Sequence, residues 1–460
     1  MALLNISNPY TSELIATLQL QSREEAVEVF NMSFDLFQKN PLGLSKAKRI
    51  EVLEQFYILL KENREELIQL SLSEGGKPLH DSIIEMDRAL EGVKLSIQSI
   101  FKIYGEEIPM DLNNASSNKL AFTQKGPIGV VFAISAFNHP INLAVHQIIP
   151  AIAAGCPVIY KPALTTPLVS KKLIELLYNA GLPDGWCSYL LCDDDTTSIL
   201  CENDKISHIS FIGAAQIGWE IKRKIAPGVT LTLEHGGNAP VILTAETNIE
   251  KASEDIAKAG FYHAGQVCVS AQRIYVHNSI LKPFIEKLKN VTMRQKVGDP
   301  AHPETLIGPI ITKKAQNRIH QWIQKAIKEG ASLICGGMEL SNNCYAPTVL
   351  LNPSEDSLVS TEEIFGPVLC VYSYENVNNA IERANRSPYI FQSAAYTENL
   401  NQALLFAKKL NGSAVMINTH PAFRVDWMPF GGQGRSGEGL GGIEYAVKSM
   451  QKQKMVVIQH

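Results

Sequence analysis

The sequence predicts an α/β protein built from two doubly wound units, each a mostly parallel sheet with helices on both faces. Three observations lead there. Continuously apolar runs such as "IGVVFAIS", "CPVIYKP", "HISFIG" and "APVILT" alternate with helical patterns such as "TTPLVSKKLIELLYNAG", and strands that are apolar on both faces belong to buried parallel sheets. A second series follows Cys268: "RIYVH", a helix from about Leu281, "IHQWIQKAIKEGASLICGG" and "PVLCVYSY". The chain then closes with "SMQKQKMVVIQH", a helix followed by a short β segment. An apolar strand at a terminus is an open edge, and it is expected to pair with another subunit.

Taken in order, residues from about Ser22 to Gly105 read as helices. "SREEAVEVF" opens with a capping Ser22 and acids in its first turn. "SKAKRIEVLEQFYILLKENREELIQLSLSEGG" spaces Ile50, Leu53, Tyr57 and Leu60 at helical intervals and is expected to run until Gly75 and Gly76 stop it. In "KLAFTQKGPIGVVFAIS" the texture turns to β, with a turn expected at Gly126-Pro127. No internal repeat or low-complexity linker interrupts the chain.

The chain has 460 residues, which is enough for two or three domains. Hydrophobic residues make up 45%, charged residues 19%, and the net charge is −4, the profile of a soluble globular protein without a basic field for nucleic acid or anionic membranes. The eight cysteines are dispersed, with no CxxC pair and no zinc spacing, so no metal is expected and a reducing compartment fits. No basic region and apolar core mark the start as a signal peptide, and no apolar run reaches a membrane span. A cytoplasmic location is expected.

Cys268, in "FYHAGQVCVSAQR", lies among small and polar residues rather than in an apolar run. A thiol nucleophile needs a base, an oxyanion stabiliser and an acceptor. Glu234 ends the alternating "TLTLE" and precedes Gly236 and Gly237, which permit close backbone approach, so it is a candidate general base. Asn138, in "ISAFNHP", can offer a side-chain N–H to an oxyanion. "FIGAAQIG" places Gly213 and Gly218 between a strand and a helix, a turn suited to a pyrophosphate. Lys161 ends another strand and can reach ribose hydroxyls or a 2′-phosphate.

The ordered series from Asn8-Pro9 through "FNHP", "YKP", "FIGAAQIG", "LEHGGNAP", "GQVCVSAQR", "VGDP…IGPII", "PTVL", "EEIFGPV" and "PFGG" resembles the aldehyde dehydrogenase superfamily. The resemblance implies a dinucleotide-binding domain (1–108 and 127–236), a catalytic domain (237–438) and a small β oligomerisation hairpin (109–126 and 439–460). It implies Cys268 as nucleophile, Glu234 as base and Asn138 as oxyanion donor. It assigns Ile134, Ser135, Phe137, Lys161, Gly213, Gly218, Glu363 and Phe365 to NAD or NADP, and it implies a homodimer or homotetramer. The implied activity is oxidation of an aldehyde to the acid, with hydrolysis rather than transfer to coenzyme A because Glu234 is present.

Several positions depart from the family pattern. Ala214 stands where a hydroxyl residue is usual, so one phosphate hydrogen bond is absent. Leu164 replaces an acid that favours NAD, whereas the acids Asp193, Asp194 and Asp195 oppose a 2′-phosphate if they face the cofactor; the balance leans to NAD. His139 and His235 are unusual and read as structural neighbours more readily than as participants. "NTHPAFRVDWMPFGG" resembles members that handle small polar or anionic aldehydes such as lactaldehyde and phosphonoacetaldehyde, with Arg424, Trp427 and His420 as candidate substrate residues. Arg424 either binds a substrate anion or pairs with Asp426. The alternatives are a thiol-dependent esterase, a succinic-semialdehyde-type dehydrogenase, and a catalytically idle scaffold.

Overall fold

The computed structural model describes residues 2–459. A six-stranded sheet runs in the order Gly437–Glu438, Thr230–Glu234, Ile206–Ile212, Val130–Ile134, Val158–Lys161, Cys187–Tyr189, parallel except for its first strand. The chain starts this sheet at Val130–Ile134, builds outward to Cys187–Tyr189, then returns to the other side of its first strand. That reversal opens a crevice beyond the carboxyl ends of Val130–Ile134 and Ile206–Ile212, where such sheets bind ligands.

A seven-stranded sheet follows in the order Ser332–Cys335, Thr348–Leu351, Val368–Tyr374, Ala271–His277, Ala239–Leu243, Gln392–Tyr396, Ala414–Ile417, with only Ser332–Cys335 antiparallel. Residues 235–238 are the whole link between the last full strand of the first sheet and the first of the second. Glu234 therefore sits at the junction of the two sheets. The strand Gly437–Glu438, inside the segment expected to be catalytic, crosses back to pair with Leu233 and Glu234.

Helix Pro140–Ala154 is buried along its full length. One side lies on the first sheet and the other under helices Lys46–Glu62 and Leu79–Phe101, which is why "PINLAVHQIIPAIAA" shows no polar stripe. The N-terminal helices form as expected, with one difference. The long pattern from Ser45 breaks at Asn63, which ends Lys46–Glu62 and begins Arg64–Gly75. Its side chain donates to the Leu59 carbonyl at 2.8 Å, the local competition that makes Asn poor inside helices. Gly76, at φ 63°, then ends the second helix.

Gly126-Pro127 does not turn. Strand Lys119–Pro127 runs through both residues, and the chain bends only at Gly129, at φ 141°, before it enters the first sheet. Pro127 is tolerated because it is the last strand residue. The terminal strand Gln451–Gln459 finds its partner within the same chain, antiparallel to Lys119–Pro127. Its far edge stays open, with Met455 and Val457 each 50% exposed. A hairpin of Leu3–Ser7 with Leu14–Gln19 escaped the sequence reading, because its strands are half-exposed and lack an apolar run.

Candidate active site

A cleft of about 820 Å³ follows the crevice at the first sheet and extends to the junction between the sheets. It is lined by Asn138, Glu234, Cys268, Glu363, Phe365 and Arg424, together with Ile134, Ser135, Phe137, Lys161 and Gly213. Gly218, one turn into the helix Ala215–Lys224, lies behind the wall.

Cys268 follows a tight turn. His263 and Ala264 adopt left-handed φ values of 48° and 55°, and Gly265 one of 70°. A Cβ on Gly265 would sit 2.1 Å from the Gly366 carbonyl oxygen, so only glycine fits. Gln266 anchors the turn: its side-chain amide donates to the carbonyls of His263 and Pro309, and its side-chain oxygen accepts from the Ile311 N–H. The Gln266 backbone carbonyl accepts one N–H of Asn138 at 2.9 Å. That bond orients the Asn138 amide and leaves its second N–H for a ligand.

The electrostatics separate the two reacting groups. Burial pushes the Cys268 thiol up to about 12; the Arg424 charge works against this, while Glu363 and Glu234 add to it. Burial pushes Glu234 up to about 6, again opposed by Arg424. Glu234 is thus a carboxylate at neutral pH with a proton affinity suited to a general base. A Cβ on Gly441 would lie 2.0 Å from Glu234 Oε1, so a bare glycine leaves room for the carboxylate.

At the dinucleotide end the structure fits a nicotinamide dinucleotide. Ser135 Oγ, beside the Tyr160 hydroxyl, and Glu363 Oε1 are buried and line the cleft, with hydrogen-bonding capacity left for hydroxyls. Glu363 approaches so closely that a Cβ on Gly236 would lie 1.6 Å from Oε1. Burial pushes Glu363 up to about 8, against a hydrogen bond from the Gly237 backbone and the charge of Arg318. Phe365, at φ 50°, meets Phe137 edge to face at 5.9 Å. Helix Ala215–Lys224 points its N-terminus at the cleft with Ala214 as cap and no side-chain cap bond, leaving its first N–H groups free for a phosphate. Lys161 is buried and its Nζ lies 3.0 Å from Asp194, which with Asp195 also lines this end.

Arg424 and Asp426 approach each other, but Arg424 is not the main partner of Asp426. Asp426 receives two bonds from Arg88, at 2.6 and 3.1 Å, and one from His146 at 2.9 Å. Burial works to raise the Asp426 pKa, but His146 and Arg88 outweigh it and hold the carboxyl well below its usual range. The nearest approach of Arg424 to Asp426 is 3.8 Å. Its guanidinium stacks over Phe430 at 3.5 Å and meets His146 Nδ1 at 3.3 Å, while its Nε is buried without a hydrogen-bond partner.

Two expected substrate residues are placed elsewhere. Trp427 is 56% exposed and outside the cleft lining, although the neighbouring Asp426 is buried. His420 faces the helix Ile249–Phe261, where Asp255 and Lys258 act on it. Its segment is tied there by Asn418, whose carbonyl accepts from Lys251. His235 packs edge to face on Phe211 and Trp219 and contacts the Arg435 carbonyl at 3.0 Å, a structural setting. A Cβ on Gly218 would meet its ring at 1.8 Å.

Sequence reading missed Arg88, Arg318, Tyr262 and Gln147. The first three line the cleft, Arg88 and Arg318 from helices read as packing elements and Tyr262 from the Cys268 motif itself. Gln147 donates to the carbonyls of Ile134, at 3.2 Å, and Ser210, at 2.9 Å, bridging the two strands that part at the crevice. A glutamine within an apolar helix was the available signal.

With fold and cleft in place, the relationship is plain: residues 2–456 match the aldehyde dehydrogenase family, and the chain belongs to it. It is an oxidoreductase acting on aldehydes. A 3-sulfolactaldehyde dehydrogenase of Priestia aryabhattai is 35% identical over 99% of this chain and 94% of its own. A lactaldehyde dehydrogenase of Methanococcus aeolicus is 34% identical over 99% and 97%. The structure of a glyceraldehyde-3-phosphate dehydrogenase from Methanocaldococcus jannaschii, complexed with NADP, superposes with a TM-score of 0.95 at 32% identity, covering 99% of each chain.

Proposed function

We propose that this protein oxidises a small polar or anionic aldehyde to its carboxylic acid, with NAD or NADP as acceptor, and releases the acid by hydrolysis. The observation that carries the substrate class is Arg424. Its Nε is buried without a hydrogen-bond partner, 3.8 Å from Asp426, in the same cleft as Cys268. Arg88 and His146 hold Asp426 by shorter bonds, so Arg424, with the longest contact to it, is the cation with a donor left to meet a carboxylate, sulfonate, phosphonate or hydroxyl. The relatives named for lactaldehyde and 3-sulfolactaldehyde support this reading.

The chemistry is assigned as follows. The Glu234 carboxylate takes the proton of Cys268 Sγ and passes it to solvent, the sulfur bonds to the aldehyde carbon, and the carbonyl oxygen takes up the charge. The free N–H of Asn138 stabilises that oxyanion; loss of one such donor costs on the order of 10²–10³ in rate. When bound, the nicotinamide supplies the hydride acceptor. The acyl group then remains on Cys268 as a thioester. Glu234 takes a proton from water, whose oxygen bonds to the acyl carbon as the Cys268 sulfur leaves. Ser135, Phe137, Lys161, Glu363 and Phe365 hold the dinucleotide. Of the two cofactors NAD is favoured, since Asp194 occupies Lys161 and Asp195 adds negative charge where a 2′-phosphate would lie. The functional unit is a homodimer or homotetramer joined through the open edge of the terminal strand. A cytoplasmic setting suits its eight free thiols.

The test is a panel of lactaldehyde, 3-sulfolactaldehyde, succinic semialdehyde and propanal, each with NAD and NADP, followed by absorbance of the reduced cofactor. Arg424→Ala is expected to raise KM for the anionic aldehydes about tenfold or more and to leave propanal within about twofold. Equal effects on charged and neutral substrates would remove the anion assignment. Absence of turnover on every aldehyde would remove the reaction itself.

A further inference from the structure

Behind Asn138 lies a buried polar chain that the mechanism above does not use. Lys77 is 1% exposed, and its Nζ has three partners: Glu85 Oε2 at 2.8 Å, the Asn138 carbonyl at 3.3 Å and His139 Nδ1 at 2.5 Å. The other Glu85 oxygen accepts the N–H groups of Ile141 and Asn142 at the start of helix Pro140–Ala154. An ammonium has three N–H donors and no acceptor, and here each donor has one acceptor. Burial lowers the Lys77 pKa and the Glu85 carboxylate raises it. Deprotonation would leave Glu85 charged, buried and unpaired, which is far costlier than keeping the pair.

The direction of every proton in the chain follows. Lys77 donates to His139 Nδ1, so the neutral imidazole carries its hydrogen on Nε2. His139 Nε2 lies 2.9 Å from the Tyr262 hydroxyl oxygen and donates to it. That oxygen is then an acceptor toward His139, and its own hydrogen must point elsewhere. Among the described residues the Tyr262 hydroxyl has no second partner, and both Tyr262 and His139 line the cleft with Cys268. The hydroxyl hydrogen is therefore aimed into the substrate space. The carbonyl oxygen of the substrate is taken by Asn138, so the nearest remaining oxygen is one carried on the carbon next to the aldehyde.

We propose that Tyr262 is a specificity-determining residue that donates a hydrogen bond to an oxygen on the carbon adjacent to the aldehyde, and that Lys77 and His139 are the positioning residues that aim its proton. The proposal rests on the polar-aldehyde reading above and narrows it to 2-oxygenated aldehydes. It is tested by kcat/KM for lactaldehyde, methoxyacetaldehyde and butanal in wild type and Tyr262→Phe. The methoxy oxygen accepts but cannot donate, and butanal matches its size without the oxygen. Tyr262→Phe is expected to lose about tenfold on lactaldehyde and methoxyacetaldehyde, the scale of one hydrogen bond, with butanal within about twofold. Butanal turnover also reports that the variant is folded. His139→Phe, which unties Tyr262 from Lys77, is expected to move the lactaldehyde-to-butanal ratio toward the Tyr262→Phe value, whereas general damage lowers both substrates together. An equal loss on all three aldehydes would assign Tyr262 to the oxyanion or to packing and overturn the proposal. Loss on lactaldehyde alone would make Tyr262 an acceptor and also overturn it. Should wild type oxidise butanal as well as the oxygenated pair, the proposal falls while the aldehyde oxidation stands; oxidation of none of the three would sink both.

Discussion

Glu234 owes its proposed role to a balance that its own side chain does not contain. Burial moves it up to about 6, and Arg424 keeps it from moving further. A base works as the carboxylate, so activity limited by thioester hydrolysis is expected above about pH 6 and to fall as pH drops through that value. The pH profile of kcat checks this: Glu234→Gln should abolish the acid limb and lower kcat by about 10²-fold or more, the usual worth of a positioned base. A limb that stays in the variant would assign it to another group. Cys268, Glu234 and Asn138 were legible as types, because nucleophile, base and amide follow β runs or glycines. Trp427 and His420 were not, because which way a side chain faces in an irregular segment is set by its neighbours' partners.

Asp426 shows what a helix brings to a site that lies far away in the chain. Helix Leu79–Phe101 carries Arg88 to the segment before "PFGG", and helix Pro140–Ala154 carries His146 to the same carboxylate. Arg88→Ala removes two hydrogen bonds from the buried carboxylate and leaves it His146 and the more distant Arg424, so it is expected to cost about 1.5–3 kcal/mol in urea unfolding. The surface pair of Arg64 and Asp87, 2.7 Å apart, has side chains 31% and 62% exposed. Arg64→Ala is expected to cost less than about 1 kcal/mol. Similar costs for the two variants would contradict the claim that burial makes the difference. Helix Leu79–Phe101 lies in the stretch read as helical, whereas Pro140–Ala154, apolar on every side, gave no helical spacing to read. The arginine on the first read as an unremarkable polar position because its partner lies 338 residues on.

The terminal strand concerns the molecule entire. It pairs with Lys119–Pro127 from Gln451 to Gln459, and both strands carry exposed apolar residues, Leu120, Met455, Val457 and Ile458. Deleting residues 451–459 would strip Lys119–Pro127 of its long partner and leave only the two-residue strand Glu107–Ile108 beside it. The truncated chain is expected to lose the dimer or tetramer and to aggregate, since it exposes a long unpaired edge. Light scattering after size exclusion checks this; an unchanged assembly would mean that the subunits meet elsewhere.

The alternation of strands and helices, the two-sheet class and the reacting residue types follow from the sequence by itself, because periodicity, glycine placement and charge are local properties that act over a few residues. The tertiary structure alone decided that Arg424 keeps a nitrogen without a hydrogen bond, that Asp426 is claimed by Arg88 and His146, and that Lys77 and His139 stand behind Tyr262. Those are contacts between groups far apart in the chain, and a buried charge or proton takes its direction from whichever partner the packed core sets against it.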